Sequence, residues 1–287
     1  MEERTNRRGH KENYVEGFHL KINDLRQRVQ HLRNQYLEKT NIIPTYPRPE
    51  IHVSHLKHDT DQAGLCGIQE DGGFKDPGND SLKLLWWSLA VGPYDITSAE
   101  KRLLEKTYPD QTQEQAQRQQ SFLWKFATSP AFKETSRLGS YRFTFPLEEL
   151  LEAYKQQCCS GAQPVMRVFK TVLYKQEVMY VVLVHSPANQ ELFSEYPELT
   201  DDPNAVCVYK DGRFVWRPEA MCETHRYELI QSPGENLMEV RELASEKYYV
   251  WDHLSVALHM EEGKVLEIGP DRLRDNLKFC YKDEVQI

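Results

Sequence analysis

The sequence lacks any apolar stretch long enough to cross a membrane. A membrane-spanning helix needs about 20 apolar residues, whereas the longest apolar run here, residues 178–184, has the length of a β-strand. Residues 1–10 contain no apolar segment of the kind found in a secretory signal. We therefore expect a soluble protein of the cytoplasm, with the nucleus left open, and no membrane partner.

Cysteine motifs are also missing. The six cysteines are scattered apart from the adjacent Cys158 and Cys159, and no C-x-x-C occurs. This excludes a zinc ribbon and a thioredoxin motif. Without a secretory signal we expect reduced thiols.

The glycine motifs that hold nucleotide phosphates are absent as well. Neither G-x-G-x-x-G after a strand nor G-x-x-x-x-G-K-[ST] is found, so Rossmann and P-loop folds are not indicated. The formal net charge of -8 speaks against general nucleic-acid binding.

Residues 14–39 carry apolar side chains at heptad spacing. The positions are Phe18, Ile22, Leu25, Val29, Leu32 and Tyr36. This pattern predicts an amphipathic helix with a coiled-coil seam. Two interpretations stay open: the helix packs on its own domain, or it joins copies into a homo-oligomer through residues 14–39. We assign residues 1–43 to a polar tail and this helix.

Three prolines within residues 44–49 predict an extended linker. Residues 50–287 then form the globular domain. Helical patterns, for example at 112–127 and 146–157, precede strand patterns at 165–174, 177–185, 205–209 and 213–216. Helices first and strands joined by tight turns later are typical of an α+β fold with a mixed, mostly antiparallel sheet and flanking helices.

His52, His55 and His58 lie within seven residues, in the most distinctive part of the chain. A metal site is the first hypothesis. On a strand, however, residues three apart point to opposite faces, and residues six apart are separated by about 20 Å. We therefore predict no metal here.

The segment 51–55, with the glycine turn at Gly72-Gly73, resembles the opening of ADP-ribosyltransferase-like domains. That family begins with a strand carrying His-x-Thr or His-Gly-Thr, followed by a short helix and a glycine turn. The resemblance covers about 25 of the 287 residues. It implies that the domain binds NAD, with His52 holding the adenosine ribose and Ser54 as its hydroxyl partner.

The same resemblance implies two further roles. Tyr141 would stack on nicotinamide, and a late glutamate would be the catalytic acid. Glu223 is preferred, with Glu219 and Glu228 as alternatives. A carboxylate suits this chemistry because cleaving the glycosidic bond of NAD creates oxocarbenium character. Val53 replaces the small residue usual in the poly-ADP-ribosylating branch, which leaves open whether the domain is catalytic.

The alternative function is a non-enzymatic interaction protein with an unknown protein partner, oligomerising through its N-terminal helix. Residues 84–93 and 204–221 resemble uncharacterised vertebrate proteins induced by virus or interferon, which implies a role in antiviral innate immunity.

Two further clusters are expected to be structural. Cys222, Glu223 and His225 have the residue types of a nucleophilic relay, but strand positions three apart face away from each other. His253 is expected to be a solvent-facing or hydrogen-bonded member of a strand.

Overall fold

A computed structural model describes residues 1–6, 9–39, 43–78, 81–248 and 250–281. The strands are, in chain order, β1 (Glu2–Thr5), β2 (Lys11–Glu16), β3 (Ile51–Val53), β4 (His55–Thr60), β5 (Gly73–Lys75), β6 (Leu84–Leu89), β7 (Tyr141–Pro146), β8 (Val165–Tyr174), β9 (Glu177–His185), β10 (Cys207–Lys210), β11 (Arg213–Trp216), β12 (Thr224–Ser232), β13 (Leu237–Tyr248), β14 (Trp251–His259), β15 (Val265–Glu267) and β16 (Leu277–Phe279). The helices are α1 (Ile22–Arg28), α2 (Gln35–Glu38), α3 (Gln62–Asp71), α4 (Pro93–Thr107), α5 (Gln113–Arg118), α6 (Leu147–Cys158) and α7 (Pro270–Asp275).

Nine strands form one large sheet in the spatial order β1-β2-β8-β9-β14-β6-β4-β7-β16. Its neighbouring strands are antiparallel except β9 and β14, which run parallel. Three smaller groups are β10-β11-β3, β12-β13 and β15-β5. The fold is therefore α+β with a mixed, mostly antiparallel sheet, as the sequence predicts.

The N-terminal segment is not the single amphipathic helix that its heptad spacing predicts. The chain begins with β1 and β2, β2 pairs with β8, and helix is confined to α1 and α2 with a 3-10 turn between them. Ile22, Leu25 and Val29 are nevertheless buried in the core of the chain. Short helical turns bury residues at this spacing as well as one long helix does, so the pattern located the buried face but not the length of the element.

Residues 44–49 contain no helix or strand, and the carbonyl of Thr45 accepts a hydrogen bond from the Leu229 N–H of β12. Residues 7, 8 and 40–42 of the predicted N-terminal unit lie outside the described residues. So do residues 79, 80, 249 and 282–287 of the predicted domain.

The strands that follow α6 form where turn chemistry marks them. β8 and β9 are joined by the predicted Lys175-Gln176 turn. Asp211 and Gly212 have φ of 49° and 74° between β10 and β11, the positive values that a two-residue hairpin turn needs. The predicted helix at 112–127 is mostly wrong, because helix is limited to α5 and a short 3-10 turn follows.

The large sheet has two different faces. One face packs against the main hydrophobic core, which includes Leu56, Trp87 and Val182. Because side chains alternate along a strand, their neighbours point to the opposite face. There a smaller cluster that includes Val181, Leu183 and Ala257 is buried, and towards β4 and β7 this face carries polar side chains such as Lys57 and Arg142.

Candidate functional site

A cavity of about 430 Å³ lies on the polar part of the sheet, on the face opposite the main core. Its floor carries Lys57, Ser88, Arg142, His253 and Ser255, one or two residues from each of β4, β6, β7 and β14. The lining also includes residues of β8 and β9, of the segment 130–138, which we call the cover loop, and of β2 with the turn that precedes it. A sheet face normally buries apolar side chains, so this group of polar residues marks the site.

Lys57 lies at the centre of the floor and is only 8% exposed. It pairs in register with Ser88 of β6 on one side and Thr144 of β7 on the other. Strand alternation places Lys57 on the cavity side of β4 and its neighbours Leu56 and His58 on the core side. His58 confirms this placement, since its ring packs edge-on against the core residue Phe74 at 5.2 Å.

The Lys57 amine has no hydrogen-bond acceptor and no ion-pair partner among the described residues. Burial lowers its pKa from the ordinary 10.5 to about 8, and the nearby Arg142 guanidinium acts in the same direction. Both effects disfavour the ammonium form. A lysine amine is thus held inside a cavity without the carboxylate that normally accompanies a buried cation.

The two arginines of the cavity are differently placed, because each has a carboxylate partner. Arg142 donates to both carboxylate oxygens of Asp59, with Nε–Oδ1 at 2.6 Å and Nη2–Oδ2 at 2.8 Å. Burial alone would raise the pKa of Asp59, but these hydrogen bonds lower it. Arg142 also donates to the carbonyls of Glu134 and Thr135 and so fixes the cover loop to the sheet.

Arg137 anchors the cover loop at a second point. Its Nη1 and Nη2 donate to the two carboxylate oxygens of Glu177 at 2.7 and 3.0 Å, and its guanidinium lies 5.3 Å from the ring centroid of Trp251. A third carboxylate of the lining, that of Glu12, accepts a hydrogen bond from Asn6 at 2.6 Å. The carboxylates around the cavity are therefore engaged, and none of them contacts Lys57.

His253 lies on the same floor as a neutral imidazole. Burial lowers its pKa to about 4, and its Nε2 lies 3.3 Å from the Ser88 Oγ. Ser88 is also the register partner of both Lys57 and Ser255. The hydrogen-bonded role expected of His253 is confirmed. Its position in the lining of a cavity was not expected from the sequence.

His52 occupies a different part of the molecule. It lies on β3, in register with Val215 of β11 in the three-stranded sheet. Its pKa is lowered, first by partial burial and then by the Arg102 guanidinium, with Arg213 adding to the effect. Ser54 follows β3, and its Oγ contacts the neighbouring His55 Nδ1 at 3.0 Å.

Tyr141 lies at the start of β7 in the large sheet, where its hydroxyl donates to the Gln62 side chain and its ring meets Phe279 edge-on. Adjacent strand positions face opposite ways, so Tyr141 points away from the cavity that Arg142 enters. Within the described part of the chain, neither His52 nor Ser54 contacts Tyr141.

The three candidate glutamates are separated as well. Glu219 accepts a hydrogen bond from the Ile22 N–H, Glu223 forms an ion pair of 3.1 Å with Lys133, and Glu228 pairs with Arg241. Among the described residues none of these carboxylates contacts His52 or Tyr141. The predicted NAD site is thus distributed over several elements, and its ligand stays a prediction.

Cys222 and His225 do meet, contrary to the expectation from strand geometry. Cys222 precedes β12 and is not held in its alternation, so its Sγ lies 3.4 Å from the His225 Nδ1. Burial raises the pKa of the thiol to about 12, and burial lowers that of the imidazole to about 4. Both groups are therefore neutral near pH 7, which is not the state of an activated cysteine.

No protein-family model, no curated protein and no solved structure matches the chain. Across the described residues, no group of three or more His, Cys, Asp or Glu side chains is placed to hold a metal ion. None of the helices in that part of the chain is both long and apolar enough to span a bilayer.

Proposed function

We propose that the protein binds a small anionic molecule in the sheet cavity, with the Lys57 ammonium as its anchor. The observation that carries this proposal is a lysine that is 8% exposed and meets no carboxylate in the part of the chain that the structure describes. Such a charge is costly to hold in a folded chain unless it is paired. The anionic group of a ligand supplies the missing partner.

The size and lining of the cavity support a compact ligand. Its volume of about 430 Å³ falls in the range of small-molecule sites. Trp86, Val172 and Met179 provide apolar surface beside the polar floor, and Ser88 and His253 provide hydrogen-bonding groups. A molecule with one carboxylate or phosphate and a short apolar body has the matching chemistry.

NAD binding as an ADP-ribosyltransferase-like domain is a second proposal, and it concerns the other region. The positive side chains whose charge acts on His52, those of Arg102, Arg213 and Arg217, support it, because a nucleotide brings phosphates. Arg217 is itself paired with Glu50 at 2.8 Å, which leaves Arg102 and Arg213 as the main attraction.

One calorimetric experiment tests both proposals. Lactate, inorganic phosphate and NAD are titrated into the full chain, into Lys57→Met, into His52→Ala and into the control Lys101→Met, which changes a lysine that is 78% exposed. Heat from lactate or phosphate that is lost only in Lys57→Met supports the cavity. Heat from NAD that is lost only in His52→Ala supports the nucleotide site.

The negative outcomes are equally specific. Absence of heat with both lactate and phosphate overturns the cavity proposal. Absence of heat with NAD overturns the nucleotide proposal, and so does NAD binding that His52→Ala leaves unchanged.

A homo-oligomer that assembles through residues 14–39 is the remaining candidate, and an exposed aromatic side chain favours it. Phe18 is 52% exposed, with the Arg28 guanidinium 5.6 Å from its ring centroid. Sedimentation of the full chain and of Phe18→Ser tests it. A dimer that Phe18→Ser dissociates supports an interaction protein, and a monomer at every concentration contradicts it.

A further inference from the structure

We propose that the Lys57 amine is a nucleophile that forms an imine with a small carbonyl compound carrying a carboxylate, a 2-oxo acid being the simplest. This inference rests on the proposed ligand site and adds a covalent step to it. The geometry carries it: a lysine nine-tenths buried points its amine into a cavity of about 430 Å³ and has no partner among the described residues.

The amine is suited to this step because it is neither exposed nor paired. A lysine becomes nucleophilic in its neutral form, and desolvation beside another cation favours that form. With the pKa of Lys57 lowered to about 8, about one molecule in ten carries the neutral amine at pH 7. The groups whose charges act on this amine are those of Arg142, Asp59, Arg137 and Cys280.

The step balances without any other reactant. The lone pair of the neutral amine attacks the carbonyl carbon, a C–N bond forms, and the electron pair of the C=O π bond moves to oxygen. A proton passes from nitrogen to that oxygen to give a carbinolamine, and loss of water then gives the imine. Amine and carbonyl compound are converted to imine and water, and nothing is oxidised or reduced.

Two neighbours suit the proton transfer. Ser88 is beside Lys57 in the β4–β6 register, and its Oγ contacts the Nε2 of the neutral His253 imidazole. A hydroxyl and an imidazole in contact exchange protons readily, so this pair forms a route for the proton that leaves nitrogen. These two carry the proton in the proposal, and the bond to the ligand is made by Lys57.

The charge balance indicates why the carbonyl compound should be an acid. A protonated imine keeps the positive charge at the position of the Lys57 amine. Asp59 and Glu177 are already bound to Arg142 and Arg137, and Glu12 accepts from Asn6, so the described residues that line the cavity offer Lys57 no carboxylate of its own. A carboxylate next to the carbonyl carbon provides the counter-charge within the ligand itself.

The test is reductive trapping. The full chain is incubated with pyruvate and sodium cyanoborohydride, digested, and mapped by mass spectrometry for lysines that carry the reduced adduct. Lys57 is compared with Lys101 of the same chain, which is 78% exposed. Because exposure alone would favour Lys101, a rate at Lys57 that is roughly tenfold higher is the expected result for an activated amine. An equal or lower rate overturns the inference.

Two small probes separate the covalent step from simple binding. Lactate has the carboxylate but no carbonyl, so it should protect Lys57 from pyruvate. Propanal has the carbonyl but no carboxylate, so its ratio of labelling at Lys57 to labelling at Lys101 should be smaller than that of pyruvate. If lactate binds as proposed above and pyruvate gives no adduct at Lys57, the inference fails while the proposed function stands. If pyruvate labels every lysine alike and lactate does not bind, both fail.

A substitution completes the test. Lys57→Arg keeps a cation in the cavity but cannot form an imine, so it should lose the adduct. Lys101→Arg should leave the Lys57 adduct unchanged. Selective adduct formation that persists in a digest of Lys57→Arg would assign the chemistry to another residue and overturn the inference.

Discussion

Replacing Lys57 by methionine should stabilise the protein, although it removes the proposed ligand anchor. The pKa of Lys57 is about 8 in the fold against an ordinary 10.5. A difference of about 2.5 in pKa corresponds to about 3 kcal/mol of stability at 1.36 kcal/mol per pKa unit. The side chain is 8% exposed, so little solvent screening reduces this value. Methionine has a similar length and no charge, and it fills irregular spaces well.

The pH dependence follows from the sign of the change in pKa. Between pH 8 and pH 10.5 the unfolded chain binds more protons at this lysine than the folded chain does. The stability of the wild type should therefore rise with pH through this window, and below pH 8 the whole penalty is present. Lys57→Met carries no such penalty, so the two proteins should differ by up to about 3 kcal/mol at pH 7 and converge towards pH 10.5.

Urea unfolding followed by tryptophan fluorescence at pH 7 and pH 10 measures this difference. Lys101→Met serves as the control, because its lysine is 78% exposed and should give the wild-type stability at both values. A variant Lys57→Met that is less stable than the wild type by more than about 1 kcal/mol at pH 7 would refute the reasoning. A difference that does not shrink with rising pH would refute it as well.

Three further predictions use the same unfolding assay. Arg142→Met should cost roughly 3 kcal/mol, because it removes the arginine partner of the largely enclosed Asp59 carboxylate. Arg118→Met breaks an exposed pair with Glu235 and should cost about 1 kcal/mol or less. Equal losses would contradict this. Gly139→Ala places a Cβ 2.0 Å from the Thr60 carbonyl oxygen and should cost about 1–3 kcal/mol. Gly234→Ala, with no atom within 4 Å of its Cβ, should be neutral. A neutral Gly139→Ala would contradict the prediction. Burial raises the pKa of Asp252. Its contribution to stability is therefore complete below the unfolded pKa of about 3.9 and is lost as pH rises through the folded pKa. Asp252→Asn should be as stable as the wild type near pH 4 and more stable at pH 8, and the reverse order would contradict the assignment.

Local signals predicted the parts of the fold that depend on neighbouring residues. The Lys175-Gln176 turn and the Asp211-Gly212 turn each joined two strands as expected, because turn chemistry acts over a few residues. The N-terminal helix was wrong for the opposite reason. β2 exists because it pairs with β8, some 160 residues further along the chain, and a heptad count contains no information about that partner.

The cavity could be predicted only in part. The sequence directed attention to the histidine block, and Lys57 lies inside that block between His55 and His58. The predicted ligand site was based on the histidines, yet the lysine is the residue that enters the cavity. A buried lysine cannot be recognised from its own segment, because what makes it unusual is that no carboxylate among the described residues contacts its amine. The surroundings of that amine come from β6 and β7, which only the fold places beside β4.

The stability that the protein loses by burying Lys57 is itself an argument that this lysine has a function. Natural chains readily lose a buried charge that serves nothing, since an apolar side chain of the same length is more stable. The lowered pKa of Lys57 corresponds to a penalty of about 3 kcal/mol, a large share of the stability of an ordinary domain. The chain also fixes the cover loop over the same cavity through Arg137 and Arg142, each with its own carboxylate. The two arginines are paired with carboxylates, whereas Lys57, in the same cavity lining, meets no carboxylate among the described residues. A ligand-binding or reactive amine requires this arrangement.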